Sequence, residues 1–258
     1  MDFPDNLLVC PENFPYTLTM KGKEGIMTLV VLVRHAHSVA NGSGILAGRS
    51  VGIHLSPTGK RQARELAKRL GDIPIKSLRS SPLERCEETI SPWLRKNLPL
   101  NSKLKLHIDS DLSEVDYGQW TGRKLRTLSK EALWKTVQEK PSLVTFPEGE
   151  SLIDMQVRAM NALQRGLETR GKGHVLLISH GDVLKSVIAS ALNMHLDEFQ
   201  RIVVDPASIS ILDYSSSKPR LILMNDSRSR LNPELFHSRT SRLLVGGGSG
   251  VASKGRRI

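Results

Sequence analysis

Two stretches of the chain, far apart, are apolar at nearly every position. "TLVVLV" (28–33) and "HVLLIS" (174–179) are short, continuous and rich in β-branched residues. That pattern predicts parallel strands covered on both faces. Between and after them the period changes. "SPTGKRQARELAKRLGD" places Ala63, Leu66, Ala67 and Leu70 at helical spacing, with Pro57 suited to the first turn. "SLRSSPLERCEETI" predicts a short strand, then a helix with Ser81 as N-cap and Pro82 at its first position. "KLKLHID" alternates, with Leu104, Leu106 and Ile108 on one face of a half-exposed strand. In "PEGESLIDMQVRAMNALQRGLETRG", Ser151 and Asp154 resemble a capping box, and Gly171 marks a stop. "DVLKSVIASALNM" reads as a mostly apolar helix, and "SISILDY" and "PRLILMN" as closing strands. Strands alternating with helices predict a layered α/β domain over residues 28–225 with a largely parallel sheet.

Both apolar strands deliver a histidine to their carboxyl ends: Arg34-His35-Ala36-His37 after the first, His180 after the second. In open α/β sheets, ligands bind beyond these ends, so neighbouring strands would turn His35 and His180 toward one crevice. Three readings compete: a nucleophile beside an anion clamp, metal ligands (His35, His37, His180, Asp182), or polar residues marking where the core stops. Arg34 directly follows an apolar run, where a guanidinium is costly to bury unpaired. Arg85 falls in the first turn of a helix, where free backbone N–H groups already favour an anion. Two convergent arginines suit phosphate oxygens.

Composition narrows the class. The 258 residues are 39% hydrophobic, enough for one large core. No apolar run reaches the ~18–20 residues of a membrane span. "MDFPDNLLVC" lacks the basic and apolar regions of a signal peptide, and two cysteines give neither a disulfide framework nor a zinc pair. The expected setting is a reducing cytoplasm. The net charge of +11 is concentrated: residues 218–258 hold nine Lys/Arg against two Asp/Glu. The segment 226–258 reads as a basic, Gly/Ser-rich tail expected to be solvated rather than bound to nucleic acid. Residues 1–27 read as an extension without clear elements, and Met27 is a candidate initiator.

Six motifs then occur in order. "LVRHAHSVAN", "GRSVGIHLSPTGKRQA", "SSPLERCEET", "LSEVDYGQWTG", "FPEGES" and "LLISHGDVLK" span residues 32 to 185. Together they resemble the histidine phosphatase superfamily, the phosphoglycerate mutase-like fold: an α/β three-layer sandwich with a mostly parallel central sheet. Ala36, His37, Gly52 and Thr121 depart from the usual residues without removing a charged catalytic group.

The resemblance implies phosphoryl transfer through a phosphohistidine, with no metal or other cofactor and a small phosphorylated metabolite as partner. His35 is the implied nucleophile, Arg34, Arg85 and a protonated His180 the phosphate clamp, and Asn41 a neutral donor. Glu114 is the implied proton donor and acceptor, and Arg49 a lesser substrate-binding residue. Cys86 is expected to pack inward without a role. Val115 and Asp116 stand where phosphoglycerate mutases carry a basic pair, which favours a hydrolase over a mutase, although Arg123 and Lys124 remain to receive an acidic substrate. A non-catalytic anion-binding scaffold is the reading of another class. The segment 129–145 is expected to form a helical lid.

Overall fold

The computed structural model describes residues 28–98 and 104–236. The segment 1–27, with Met27, and the tail beyond 236 lie outside the described residues. The chain runs β1 (Leu29–Arg34), α1 (Val39–Ser43), α2 (Pro57–Leu70), β2 (Ile75–Ser80), α3 (Glu84–Asn97) and β3 (Leu106–Ile108). It continues α4 (Leu125–Leu128), α5 (Ala132–Glu139), α6 (Leu152–Glu168), β4 (His174–Ser179), α7 (Gly181–Ala191), β5 (Ile209–Asp213) and β6 (Arg220–Asp226). The six strands form one sheet in the order β3-β2-β4-β1-β5-β6. The first four strands of that order are parallel, while β5 and β6 close the sheet antiparallel.

Side chains of β1 and β4 alternate between two cores, which is why both strands are apolar throughout. Val30, Leu32, Val175 and Leu177 join α6 and α7 on one face. Leu29, Val31, Val33, Leu176 and Ile178 meet α2 and α3 on the other. The layered α/β domain expected from the alternating pattern is therefore present, as the three-layer sandwich that the resemblance implies. Packing continues past the expected boundary at 225: Leu231 and Phe236 are buried in the α2–α3 core, and Arg69 donates to the carbonyls of Asp226 and Ser229.

Among the described residues, side-chain caps set three of the seven helix starts, α1, α2 and α6. Ser56 accepts Gly59 N–H ahead of Pro57, and Ser151 accepts Asp154 N–H at the start of α6. Helix α6 ends at Glu168, short of Gly171. Helix α3 corrects the sequence reading: it begins at Glu84 with Leu83 at the cap, not at Pro82. Ser81 instead closes a tight turn by accepting Leu83 N–H. Strand β3 has only three residues and ends with Ile108 exposed.

The expected lid is helical at α5, with α4 just before it, and belongs to the packed body. Trp134 of α5 stacks on buried Trp120, ring centroids 6.1 Å apart. Among the described residues no helix is long and apolar enough to cross a membrane.

The topology opens a crevice. Strands β1 and β4 are parallel neighbours, but the first long helix after β1 (α2) packs on one face and the helix after β4 (α7) on the other. Loops diverging from adjacent strand ends leave a cleft between them.

Candidate active site

Register brings the two histidines together. Arg34 of β1 pairs with Ser179 of β4, so the residue after each strand sits at the same level. His35 N–H donates to the Ser179 carbonyl at 2.9 Å, and the rings of His35 and His180 stand with centroids 5.1 Å apart. Both histidines are buried, 3% and 0% exposed.

His35 Nδ1 lies 2.8 Å from the Ala36 carbonyl, which can only accept; the neutral ring therefore carries its proton on Nδ1 and its lone pair on Nε2. Burial, then the charges of Arg85 and Arg34, hold its pKa well below 6.5. The loop is held in place by α3: Thr89 Oγ1 accepts Ala36 N–H at 2.8 Å.

His180 shows a different environment. Its Nε2 is 2.8 Å from Ser81 Oγ and 3.5 Å from Cys86 Sγ. Burial, then the charge of Arg85, hold its pKa well below the ordinary value, against the expectation of a protonated ring. Negative charge in the cleft acts in the opposite direction. Cys86 packs inward as expected, and burial pushes its thiol up to about 12.

The arginines arrive from separate elements. Arg34 leaves β1 with Nη1 donating to the Val204 carbonyl at 2.5 Å. Its guanidinium packs on Gly181, where an added Cβ would lie 3.4 Å from Cζ. Arg85, 1% exposed, donates Nη2 to the Gly48 carbonyl at 2.7 Å. Three buried nitrogens of these site residues have no hydrogen-bond partner: Arg34 Nε, Arg85 Nη1 and His180 Nδ1. Leaving one such group unsatisfied costs about 1–3 kcal/mol, more when it is charged. The charges of Arg85 and Arg34 bear on His35, whose ring stands 5.1 Å from that of His180, so donors from three side chains are available to an anion there.

Glu114 lies across from His180, with Oε2 3.8 Å from Nδ1. Its Oε1 accepts Val115 N–H at 3.0 Å. Burial, then the charge of Asp182, raise its pKa to about 7. Asp182 in turn accepts a hydrogen bond from Tyr117 at 2.9 Å.

The remaining sequence candidates stand further out. Asn41 is exposed, and its Oδ1 takes the Ser38 N–H and hydroxyl, which leaves Nδ2 as its donor. Arg49 directs all three guanidinium nitrogens at protein oxygens: Nε to the Glu114 carbonyl, Nη2 to Glu150, and Nη1 3.6 Å from Asp116. Arg123 is paired with Glu131. His37 binds Ser56 through Nδ1, so its ring is tied to the start of α2 rather than turned with His35 onto one point. Among the described residues, no group of three or more His, Cys, Asp or Glu is arranged to hold a metal. Sequence reasoning missed Ser81, Glu150 and Arg158. "SSPL" and "FPEGES" were visible as motifs but suggested only helix starts.

Comparisons with known proteins agree with the fold. The family described as histidine phosphatase superfamily (branch 1) matches residues 30–227. Phosphoserine phosphatase 1 of Hydrogenobacter thermophilus is 26% identical over 201 residues, covering 77% of this chain and 92% of that protein. A protein of Yersinia enterocolitica named as a probable phosphoglycerate mutase is 30% identical over 193 residues, covering 74% of this chain and 87% of its own. The crystal structure of the alpha-ribazole phosphatase of Shigella flexneri superposes with a TM-score of 0.69 at 24% identity, covering 80% of this chain and all of that one. By its family match and by a relative at 30% identity, this chain belongs to the histidine phosphatase superfamily, branch 1.

Proposed function

We propose that the protein is a metal-independent phosphatase that hydrolyses phosphate monoesters of small acidic metabolites through a phosphohistidine. The observation that carries this reading is the set of three partnerless buried nitrogens, Arg34 Nε, Arg85 Nη1 and His180 Nδ1, beside a neutral His35.

His35 Nε2 attacks phosphorus, and the bond to the ester oxygen breaks. Charge on the equatorial oxygens is met by Arg34, Arg85 and His180, with Asn41 Nδ2 as a neutral donor. Glu114, protonated near neutral pH, gives its proton to the departing alkoxide. The resulting carboxylate then accepts a proton from water as water attacks the phosphohistidine, which releases inorganic phosphate and restores His35. The two steps share one acid–base group and one anion cradle. Arg49 stands at the rim of this site.

An acidic substrate is supported by the names of the relatives, a phosphoserine phosphatase and a phosphoglycerate mutase. The second of those names also favours a mutase that returns the phosphoryl group to its substrate. Against it, Val115 is buried and Asp116 faces Arg49 where a mutase carries a basic pair. Brief reaction with a radiolabelled phosphate ester followed by alkaline quench should trap acid-labile phosphate on the protein. Its loss in His35→Ala supports the mechanism; a protein that binds phosphate but never carries the label is a scaffold.

A further inference from the structure

We infer that Glu150 and Arg158 are positioning residues that hold the Glu114 carboxyl at the angle proton transfer needs. This rests on the reading of Glu114 as the acid and base.

Arg158 rises from α6, whose other face is buried, and spends three of its five N–H groups on the segment 111–114 and two on Glu150. Nη1 donates to the carbonyls of Asp111 and Ser113 at 2.8 and 2.6 Å. Nη2 donates to the Glu114 carbonyl at 3.0 Å and to Glu150 Oε1 at 2.6 Å, and Nε donates to Glu150 Oε2 at 2.9 Å. The pair is mostly shielded, with side chains 14% and 15% exposed. Glu150 does more than neutralise Arg158: the same Oε1 accepts Asp116 N–H at 2.8 Å and Arg49 Nη2 at 2.9 Å.

Two guanidiniums therefore grip one oxygen. The Glu114 carbonyl accepts Arg49 Nε at 2.9 Å and Arg158 Nη2 at 3.0 Å. The other end of that same peptide unit is Val115 N–H, which donates to Glu114 Oε1. Fixing the peptide plane from its oxygen side thus fixes the N–H that holds Oε1, and with it the direction of Oε2 toward His180. None of these groups needs to touch the phosphate. Their effect is confined to the step in which a proton moves.

The test compares Glu150→Gln and Arg158→Lys with wild type and with Glu114→Gln as control. Each is assayed on para-nitrophenyl phosphate, whose leaving group needs no proton, and on phosphoserine, whose alkoxide does. Inhibition by inorganic phosphate reports the anion cradle separately. The expected result is a kcat/KM loss of about tenfold or more on phosphoserine, with kcat/KM on para-nitrophenyl phosphate and phosphate inhibition unchanged. The Glu150→Gln variant keeps size and shape and serves if Arg158→Lys does not fold. Equal losses on both esters in Glu150→Gln, with Glu114→Gln still discriminating between them, would overturn the positioning role alone. A Glu114→Gln control that fails to discriminate would instead overturn the reading of Glu114.

Discussion

The Ser81 hydroxyl lies 2.8 Å from His180 Nε2, and this contact bears on which nitrogen of a neutral His180 carries the proton. Ser81 Oγ already accepts Leu83 N–H; with its own hydrogen given to Nε2, the ring proton of a neutral His180 sits on Nδ1. That is the nitrogen left without a partner beside Glu114. Ser81→Ala removes the preference and lets the ring turn a lone pair toward the phosphate. A hydrogen bond to a charged group is worth about 1.5–3 kcal/mol, so kcat/KM should fall roughly 10- to 100-fold. Ser81→Thr should retain most activity, and inhibition by inorganic phosphate should weaken in parallel in the alanine variant only.

Arg85 has one nitrogen bound to the Gly48 carbonyl and another buried without a hydrogen-bond partner. An arginine aimed at a transferring phosphoryl group contributes about 10³–10⁵ in rate. Arg85→Ala should lose turnover on that scale. Arg85→Lys should recover little, because a point charge cannot hold Gly48 and phosphate at once. Steady-state kinetics with para-nitrophenyl phosphate measures both.

Glu114 gives the reaction its upper pH limit. With its pKa raised to about 7, the protonated form needed by an alkoxide disappears above that pH. For alkyl phosphates kcat/KM should fall as pH rises through about 7, and Glu114→Gln should abolish that limb. His35, held well below 6.5, stays a free base through the neutral range. Stability follows the same group. Folding raises this carboxyl's proton affinity, so the contribution is fully present below the ordinary 4.5 and lost as pH rises through about 7. Thermal melts of Glu114→Gln should show a flatter decline than wild type between about pH 5 and 8.

Gly59 keeps the loop after His35 seated on α2. A Cβ at this position would lie 2.0 Å from the His37 carbonyl oxygen, backbone that cannot step aside. Gly59→Ala should cost about 1–3 kcal/mol by overpacking, lowering Tm by roughly 2–4 °C per kcal/mol. Activity should fall with it, since the displaced segment begins two residues after His35.

How much of this was readable in advance follows from what periodicity encodes. The continuous apolar runs of β1 and β4 require burial on both faces, and burial on both faces requires a sandwich; His35 and His180 then follow from their places at the strand ends. The Ser151 start of α6 was equally plain, because its partner lies three residues away. The start of α3 was misread because Ser81 has the residue type of a cap, yet its hydroxyl belongs to His180, 99 residues on. Arg158 looked like one more polar position on an amphipathic helix. Periodicity reports which side of a helix meets water, not which distant carbonyls a long side chain will reach.

The pairing of β1 with β4 has a kinetic corollary. Arg34, Arg85, Glu114 and His180 come from four separate stretches, and the histidines meet only once strands some 145 residues apart have aligned in parallel. Contacts between such remote partners form late and slowly. No early, locally ordered species can turn over substrate, so regain of activity after dilution from denaturant should time the closing of the sheet itself.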